Sequence, residues 1–221
     1  TLLVGAPAYE NNPSSRSYSL RNRAFLVDAG AGTLAWYDKE HLVPFGEYMP
    51  LPDWLNIDKL TQGIGDYTPG ENDHPLLFGP AELGMLICYE AVFPNLAQKL
   101  VERGANLFVN ITNDAWFGDS SAPEQHLAHA SMRSIEQGRY LARCANNGIT
   151  AFIDPLGRVT AQIPQFQAGI LTQSVKPVEV TTFYHDIYHW ELRVIYLLAG
   201  CFIAWIIFAP RRRQTTGRWT L

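Results

Sequence analysis

The sequence is short of cysteine. Its three cysteines, Cys88, Cys144 and Cys201, form an odd and widely spaced set, which excludes a disulfide framework as the source of stability. Excess positive charge is also lacking. The chain carries a formal charge of −4, and Arg211, Arg212, Arg213 and Arg218 all fall in the last eleven positions, which hold no acid. Residues 1–210 then contain 13 basic and 21 acidic side chains, a balance of −8. Such an acidic body lacks the basic face that nucleic-acid binding needs. There is no internal repeat, no low-complexity run, and no charged leader followed by an apolar stretch at the start. The chain opens directly on a short apolar strand, Leu2-Leu3-Val4-Gly5-Ala6, so it is expected to begin inside a domain.

What is present is an ordinary globular composition, 47% hydrophobic and 17% charged over 221 residues. That suffices for one large domain with or without an appendage. Residues 16–38 read as a β-meander, with strands at Tyr18–Leu20, Ala24–Val27 and Thr33–Tyr37 and a turn through Asp28–Gly32. Residues 40–80 hold six of the fourteen prolines and little periodicity, the signature of a long functional loop. Pro44, Phe45, Tyr48, Met49, Leu51, Trp54 and Leu55 make it aromatic-rich, and part of it is expected to act as an apolar lid. Beyond it the pattern alternates: a strand over Leu83–Cys88, a helix from Pro94 to Arg103 stopped by Gly104, a strand over Leu107–Ile111, and a helix from Pro123 to about Leu141. Strands are expected near 142–146, 149–153, 158–163 and 169–175. Strand–helix alternation with meanders around it predicts an α/β fold with a mixed sheet.

Val194 to Ala209 is a run of sixteen residues without a charge, about 24 Å as a helix. A membrane span needs about 17–25 residues, which this run reaches if it starts near Trp190 and Arg193 snorkels outward. A buried core helix is the other reading. The arginines that follow at once favour the span, and would stay on the cytoplasmic side. The boundaries expected are a body over 1–183, a transmembrane helix over 190–210 and a basic tail over 211–221.

Two segments can carry chemistry. In Gly84-Met85-Leu86-Ile87-Cys88-Tyr89-Glu90, the cysteine ends an apolar strand before a polar pair. A thiol there can project into a cleft, with the following backbone N–H groups facing a developing oxyanion. A buried structural cysteine leaves the same trace, and position alone leaves both open. In Tyr37-Asp38-Lys39-Glu40-His41-Leu42-Val43-Pro44-Phe45-Gly46-Glu47-Tyr48-Met49-Pro50, Lys39 leaves a strand for the long loop. It is either a solvated charge or a fixed cation beside a thiolate. His126 and His129 stand three apart on a predicted helix, but without an HExxH pattern no zinc site is expected.

Together these segments resemble the nitrilase superfamily, which uses a Glu-Lys-Cys triad on a four-layer α-β-β-α sandwich. Lys39 falls on its lysine motif and Cys88 on its cysteine motif. Within it the finer likeness is to the apolipoprotein N-acyltransferases, at "YDKEHLVPFGEYMP", at "ICYEAVFP" and along Thr112–Arg158, which begins "TNDAWFGDSSAPEQH". The C-terminal apolar run with a basic tail fits that group too. The resemblance implies an incomplete nitrilase-like fold followed by a membrane helix, with Glu47, Tyr89, Glu90 and Trp116 supporting the pocket. It implies ping-pong acyl transfer with no cofactor or metal: a phospholipid donor, phosphatidylethanolamine, acylates Cys88, and the N-terminal amine of a diacylglyceryl-cysteine apolipoprotein takes the chain. The setting implied is a monomer in the bacterial inner membrane, with its body on the periplasmic side. The general base of the superfamily is a glutamate in a Pro-Glu motif upstream of the lysine. Glu10 has no such context and is not assigned that role, so the chain is not expected to be catalytically complete alone. Cys144 and Cys201 are expected to pack. The rival readings are an amidase acting on soluble C–N substrates and a non-catalytic membrane-tethered binding module.

Overall fold

The computed structural model describes residues 1–12, 17–51, 66–72 and 74–208. Trp54, Leu55 and the four tail arginines lie outside these residues. The chain divides into two compact units, Thr1–Thr182 and Phe183–Leu221.

The first unit holds two sheets. One is a meander of β1 (Leu2–Asn12), β2 (Ser17–Asp28) and β3 (Gly32–Asp38), in that order and antiparallel. The two short strands expected at 18–20 and 24–27 are one continuous strand, because β1 runs on to Asn12 and pairs with β2 from Leu2↔Val27 to Asn12↔Ser17. The second sheet has six strands in sequential order: β4 (Leu76–Phe78), β5 (Ala81–Ile87), β6 (Leu107–Asn113), β7 (Leu141–Asn146), β8 (Thr150–Ile153) and β9 (Val159–Ile163). Its central pairs β5–β6 and β6–β7 are parallel and the others antiparallel. Helix α1 (Pro94–Glu102) makes the β5–β6 crossover and α2 (Ala122–Gln137) the β6–β7 crossover. This is the α/β order that the alternation implied.

Strand alternation shows how the layers stack. Ile111 of β6 points at β1, so close that a Cβ on Gly5 would lie 2.8 Å from it. Asn110 and Thr112 point the other way, toward groups that reach α2 through Asp114 and His126. Ala24, Leu26 and Tyr37 of the small sheet join Met85, Leu86, Phe108, Leu141 and Ile153 of the large one, with Ala97 and Leu100 of α1 and Ala130 of α2, in a single core. Burying a side chain such as Phe108 or Leu141 contributes about 2 kcal/mol. Of the four layers expected, three (helix, sheet, sheet) are found among the described residues.

Two boundaries differ from expectation. Helix α2 stops at Gln137, not near Leu141, because Gly138 takes a left-handed conformation (φ 64°) and ends the helix. No strand forms over 169–175. That stretch meets β9 through side chains, the Thr160–Gln173 pair at 2.9 and 2.7 Å, without joining the ladder. Cys144 does not pack in the core. It is exposed and lines an open cavity of about 660 Å³ with Leu3, Ile111, Phe152 and Ile163.

The second unit contains α3 (Phe183–Phe208). No single helix among the described residues is long and apolar enough to cross a membrane. Phe183–Glu191 and Arg193–Phe208 pass that test only as a pair, bent by 41°. The break, flanked by Glu191 and Arg193, falls near the start of the span expected over 190–210. Cys201 lies on the second arm and is exposed.

Candidate active site

Cys88 sits where β5 ends. Residues Cys88–Val92 form a 3-10 turn, and Cys88 itself has φ 53°, the left-handed region that a residue with a Cβ seldom occupies. The conformation is unfavourable for a non-glycine residue by roughly 1–2 kcal/mol, so surrounding groups must hold it. Cys88 is half-buried. Among the described residues no side chain is hydrogen-bonded to its thiol.

Lys39 leaves β3 at the neighbouring sheet and is almost fully buried, at 1% exposure. This disposes of the solvated-surface reading. Its backbone is clamped on both sides: its N–H donates to the Asn22 carbonyl at 2.8 Å, and its carbonyl accepts from Gly70 N–H at 2.8 Å. Gly70 is required there, since a Cβ would come 2.2 Å from the Asp38 carbonyl oxygen. The ammonium donates to Glu47 Oε2 at 2.7 Å. Glu47 also accepts from Val43 N–H and from the Asn22 amide, both at 2.8 Å. An ammonium has three donors, so Glu47 fixes Lys39 in place and leaves N–H groups for an incoming oxygen.

Glu90, fully buried in the turn after Cys88, joins the two segments. Its Oε1 accepts from Glu40 N–H at 2.7 Å and His41 N–H at 3.0 Å, its Oε2 from Ile87 N–H at 2.7 Å, and Tyr37 Oη donates to the same carboxyl at 3.2–3.3 Å. One side chain thus holds the backbone just after Lys39, the Tyr37 hydroxyl before it and the residue before Cys88. Burial pushes the Glu90 carboxyl up to about 7, against the backbone donors and the Lys39 charge that pull it down. Burial likewise drives the Tyr37 hydroxyl well above its ordinary range, with the Glu90 charge adding to it.

A second polar group lies behind the cysteine, on the helix side of the large sheet. Asp114 opens a 3-10 turn, Asp114–Phe117, after β6. Its Oδ1 accepts from Thr112 Oγ1 at 2.8 Å and contacts His126 Nδ1 at 3.0 Å, and its Oδ2 accepts from Arg143 Nη2 at 2.6 Å. The other ring nitrogen, His126 Nε2, is 3.0 Å from the Cys88 carbonyl oxygen. Burial would raise the Asp114 carboxyl, but the His126 hydrogen bond and the Arg143 charge hold it below its ordinary value. Two turns further along α2, Arg133 donates to the Val92 carbonyl at 2.6 Å. Both ends of the cysteine turn are therefore held by α2.

Of the residues singled out from sequence, Lys39, Glu47, Glu90 and Cys88 converge. Tyr89 is partly exposed and meets the Phe93 ring edge-on at 4.9 Å. Trp116 is 67% exposed, so it is not a core residue. His126 is buried and His129 exposed, so the two do not face one another. Glu10 is bound by Arg23 and Arg21, and the Arg23 hydrogen bond holds its carboxyl below its ordinary range. Asp114, Arg133 and Arg143 were not anticipated, and His126 was weighed only as a metal ligand. They stand in the Thr112–Arg158 stretch, but nothing in the sequence shows that a turn, a helix and a strand bring them together.

This architecture and sequence have relatives. The carbon-nitrogen hydrolase family model matches residues 1–184. The chain is 42% identical over 192 residues to an apolipoprotein N-acyltransferase of Geobacter metallireducens, covering 85% of this chain and 36% of the relative. It is 40% identical over 217 residues to one from Pseudomonas putida, covering 97% and 41%. The chain thus spans about two fifths of the length of the curated relatives it matches. Among solved structures, an amidase from Nesterenkonia sp. superposes with a TM-score of 0.58 at 22% identity, covering 88% of this chain and 68% of the amidase. A carbon-nitrogen hydrolase from Helicobacter pylori superposes at 0.54 and 15% identity, covering 74% and 59%. At those identities the structures establish the nitrilase-like fold.

Proposed function

Because this chain belongs to the carbon-nitrogen hydrolase family, we propose that Cys88 is the nucleophile of an acyltransferase that N-acylates apolipoproteins. The observation that carries the reading is the Glu90 tie, which holds a buried, Glu47-fixed Lys39 and the left-handed Cys88 in one assembly.

The reaction has two halves. The Cys88 thiolate attacks the ester carbonyl carbon of a phospholipid acyl chain, phosphatidylethanolamine being the donor expected. The carbonyl oxygen becomes an oxyanion facing Lys39 Nζ and the Tyr89 N–H, donors already in place before charge develops. The carbon–oxygen bond then breaks, the leaving alkoxide takes the proton first removed from the thiol, and a lysophospholipid departs from a thioester. The N-terminal amine of a diacylglyceryl-cysteine apolipoprotein attacks that thioester. The carbon–sulfur bond breaks, an amide forms, and the proton lost by the amine restores the thiol. Glu10 is engaged by arginines and is not assigned as the base that moves these protons.

The bent α3 would serve as the membrane anchor, its second arm carrying the uncharged run to Phe208. On this reading the protein sits in the bacterial inner membrane as a monomer, with 1–183 as the catalytic body on the periplasmic side and 211–221 as a cytoplasmic tail. Exposed Trp116 would meet the acyl chain or headgroup of the donor, and Tyr89 would shape the pocket.

The test supplies the intact protein with phosphatidylethanolamine vesicles and a diacylglyceryl-cysteine peptide. The peptide should gain one acyl chain on its amine, and the same peptide acetylated at that amine should gain none. Hydrolysis of a soluble amide with no lipid requirement, and no peptide acylation, would overturn the proposal in favour of an amidase.

A further inference from the structure

Resting on the acyl-transfer reading above, we infer that His126 is a positioning residue that aims the oxyanion donor through the Cys88 carbonyl. A carbonyl oxygen only accepts hydrogen bonds, so the 3.0 Å contact with the Cys88 carbonyl puts a proton on His126 Nε2. The other nitrogen, Nδ1, is met by Asp114 Oδ1 at 3.0 Å and Arg143 Nη2 at 3.2 Å. Whichever of them it engages, Nε2 remains the donor. Phe117 stands edge-on to the ring, 6.0 Å between centroids. Asp114 is itself held by Thr112 and Arg143, with Gly148 leaving it room, since a Cβ there would lie 2.3 Å from Oδ2. The imidazole therefore cannot swing away.

The consequence follows from peptide geometry. The Cys88 carbonyl and the Tyr89 N–H belong to one planar, trans unit and point in opposite directions. Tyr89 is second in the 3-10 turn, among the first N–H groups, which find no acceptor inside the turn. Pinning the carbonyl toward α2 therefore aims this free N–H the other way, toward where the substrate oxygen arrives. Because the left-handed Cys88 has no glycine-like freedom, the pin also keeps that peptide from flipping.

The experiment compares wild type with His126→Phe, which keeps a ring but has no donor, and His126→Gln, which keeps a donor. Three rates are read on the intact protein: acylation of Cys88 by a p-nitrophenyl ester, acylation by phosphatidylethanolamine vesicles, and alkylation by iodoacetamide, which forms no oxyanion. His126→Phe should lose about 10- to 100-fold in both acylations, less than the 10²–10³ that outright loss of an oxyanion donor gives. Its alkylation should stay within about threefold, and His126→Gln should recover most of the loss. If His126→Phe does not fold, Asp114→Asn frees the same ring and should shift the same ratio in the same direction. Acylation at the wild-type rate, alkylation falling in step with it, or no recovery with Gln would overturn the inference. Wild type that accepts the chain from the p-nitrophenyl ester but not from the phospholipid would overturn the lipid-donor reading alone. Failure with both esters would sink both.

Discussion

The two halves of the site are held by opposite chemistry. On the lysine side the fixed group is a cation and its holders are carboxylates: Glu47 takes the Lys39 ammonium and the Val43 N–H, and Glu90 takes N–H groups of Glu40 and His41. On the cysteine side the fixed groups are carbonyls and their holders are donors from α2: His126 at Cys88 and Arg133 at Val92. In the proposed reaction the lysine side presents a charge, so it needs a counter-charge that leaves donors free. The cysteine side there presents a backbone N–H, so it needs its carbonyls pulled away. Among the described residues Glu90 alone belongs to both, growing from the cysteine turn and gripping the lysine loop.

Variants can break that comparison in order of expected effect. Lys39→Ala removes the charge that the lysine side exists to present, and acylation of Cys88 should fall by about 10²- to 10³-fold. A loss under tenfold, measured in single turnover, would show that the backbone donor suffices. Glu90→Gln acts next, and on stability. The folded protein keeps this proton up to about pH 7, while the unfolded carboxyl releases it near 4.5. The contribution is therefore complete below pH 4.5 and lost as pH rises through 7. Thermal melts across that window should show a slope that Glu90→Gln flattens, by on the order of 3 kcal/mol. Identical slopes would mean that the buried carboxyl does not titrate there. Arg133→Met should cost about 1–3 kcal/mol of stability while leaving the ratio of acylation to alkylation unchanged, since Val92 lies at the far end of the turn. A shift in that ratio would erase the distinction between Arg133 and His126. Trp116→Ala is smallest. With two thirds of its surface exposed, stability should move by under about 0.5 kcal/mol and the KM for phospholipid should rise several-fold. An unchanged KM would remove Trp116 from the donor site.

The lysine side was the more legible in sequence. Lys39, Glu47 and their loop are contiguous, as are Cys88 and Glu90, so one stretch of chain displays each motif whole. The holders of the cysteine turn and the groups that fix them come from three elements spread from Asp114 to Arg143, and a lone buried histidine or arginine on a helix has no periodic trace. The α/β order was legible because apolar strands and helix stops alternate so regularly. The errors came where context beyond the pattern decides: α2 ended by Gly138, and 169–175 lying beside β9 rather than in the ladder.

The most direct test of the central claim is the intact mass of the protein after incubation with phosphatidylethanolamine, beside its Cys88→Ala variant. A gain of one acyl chain, released by hydroxylamine and absent from the variant, is the predicted result. No gain in wild type, or an equal gain in Cys88→Ala, would contradict it.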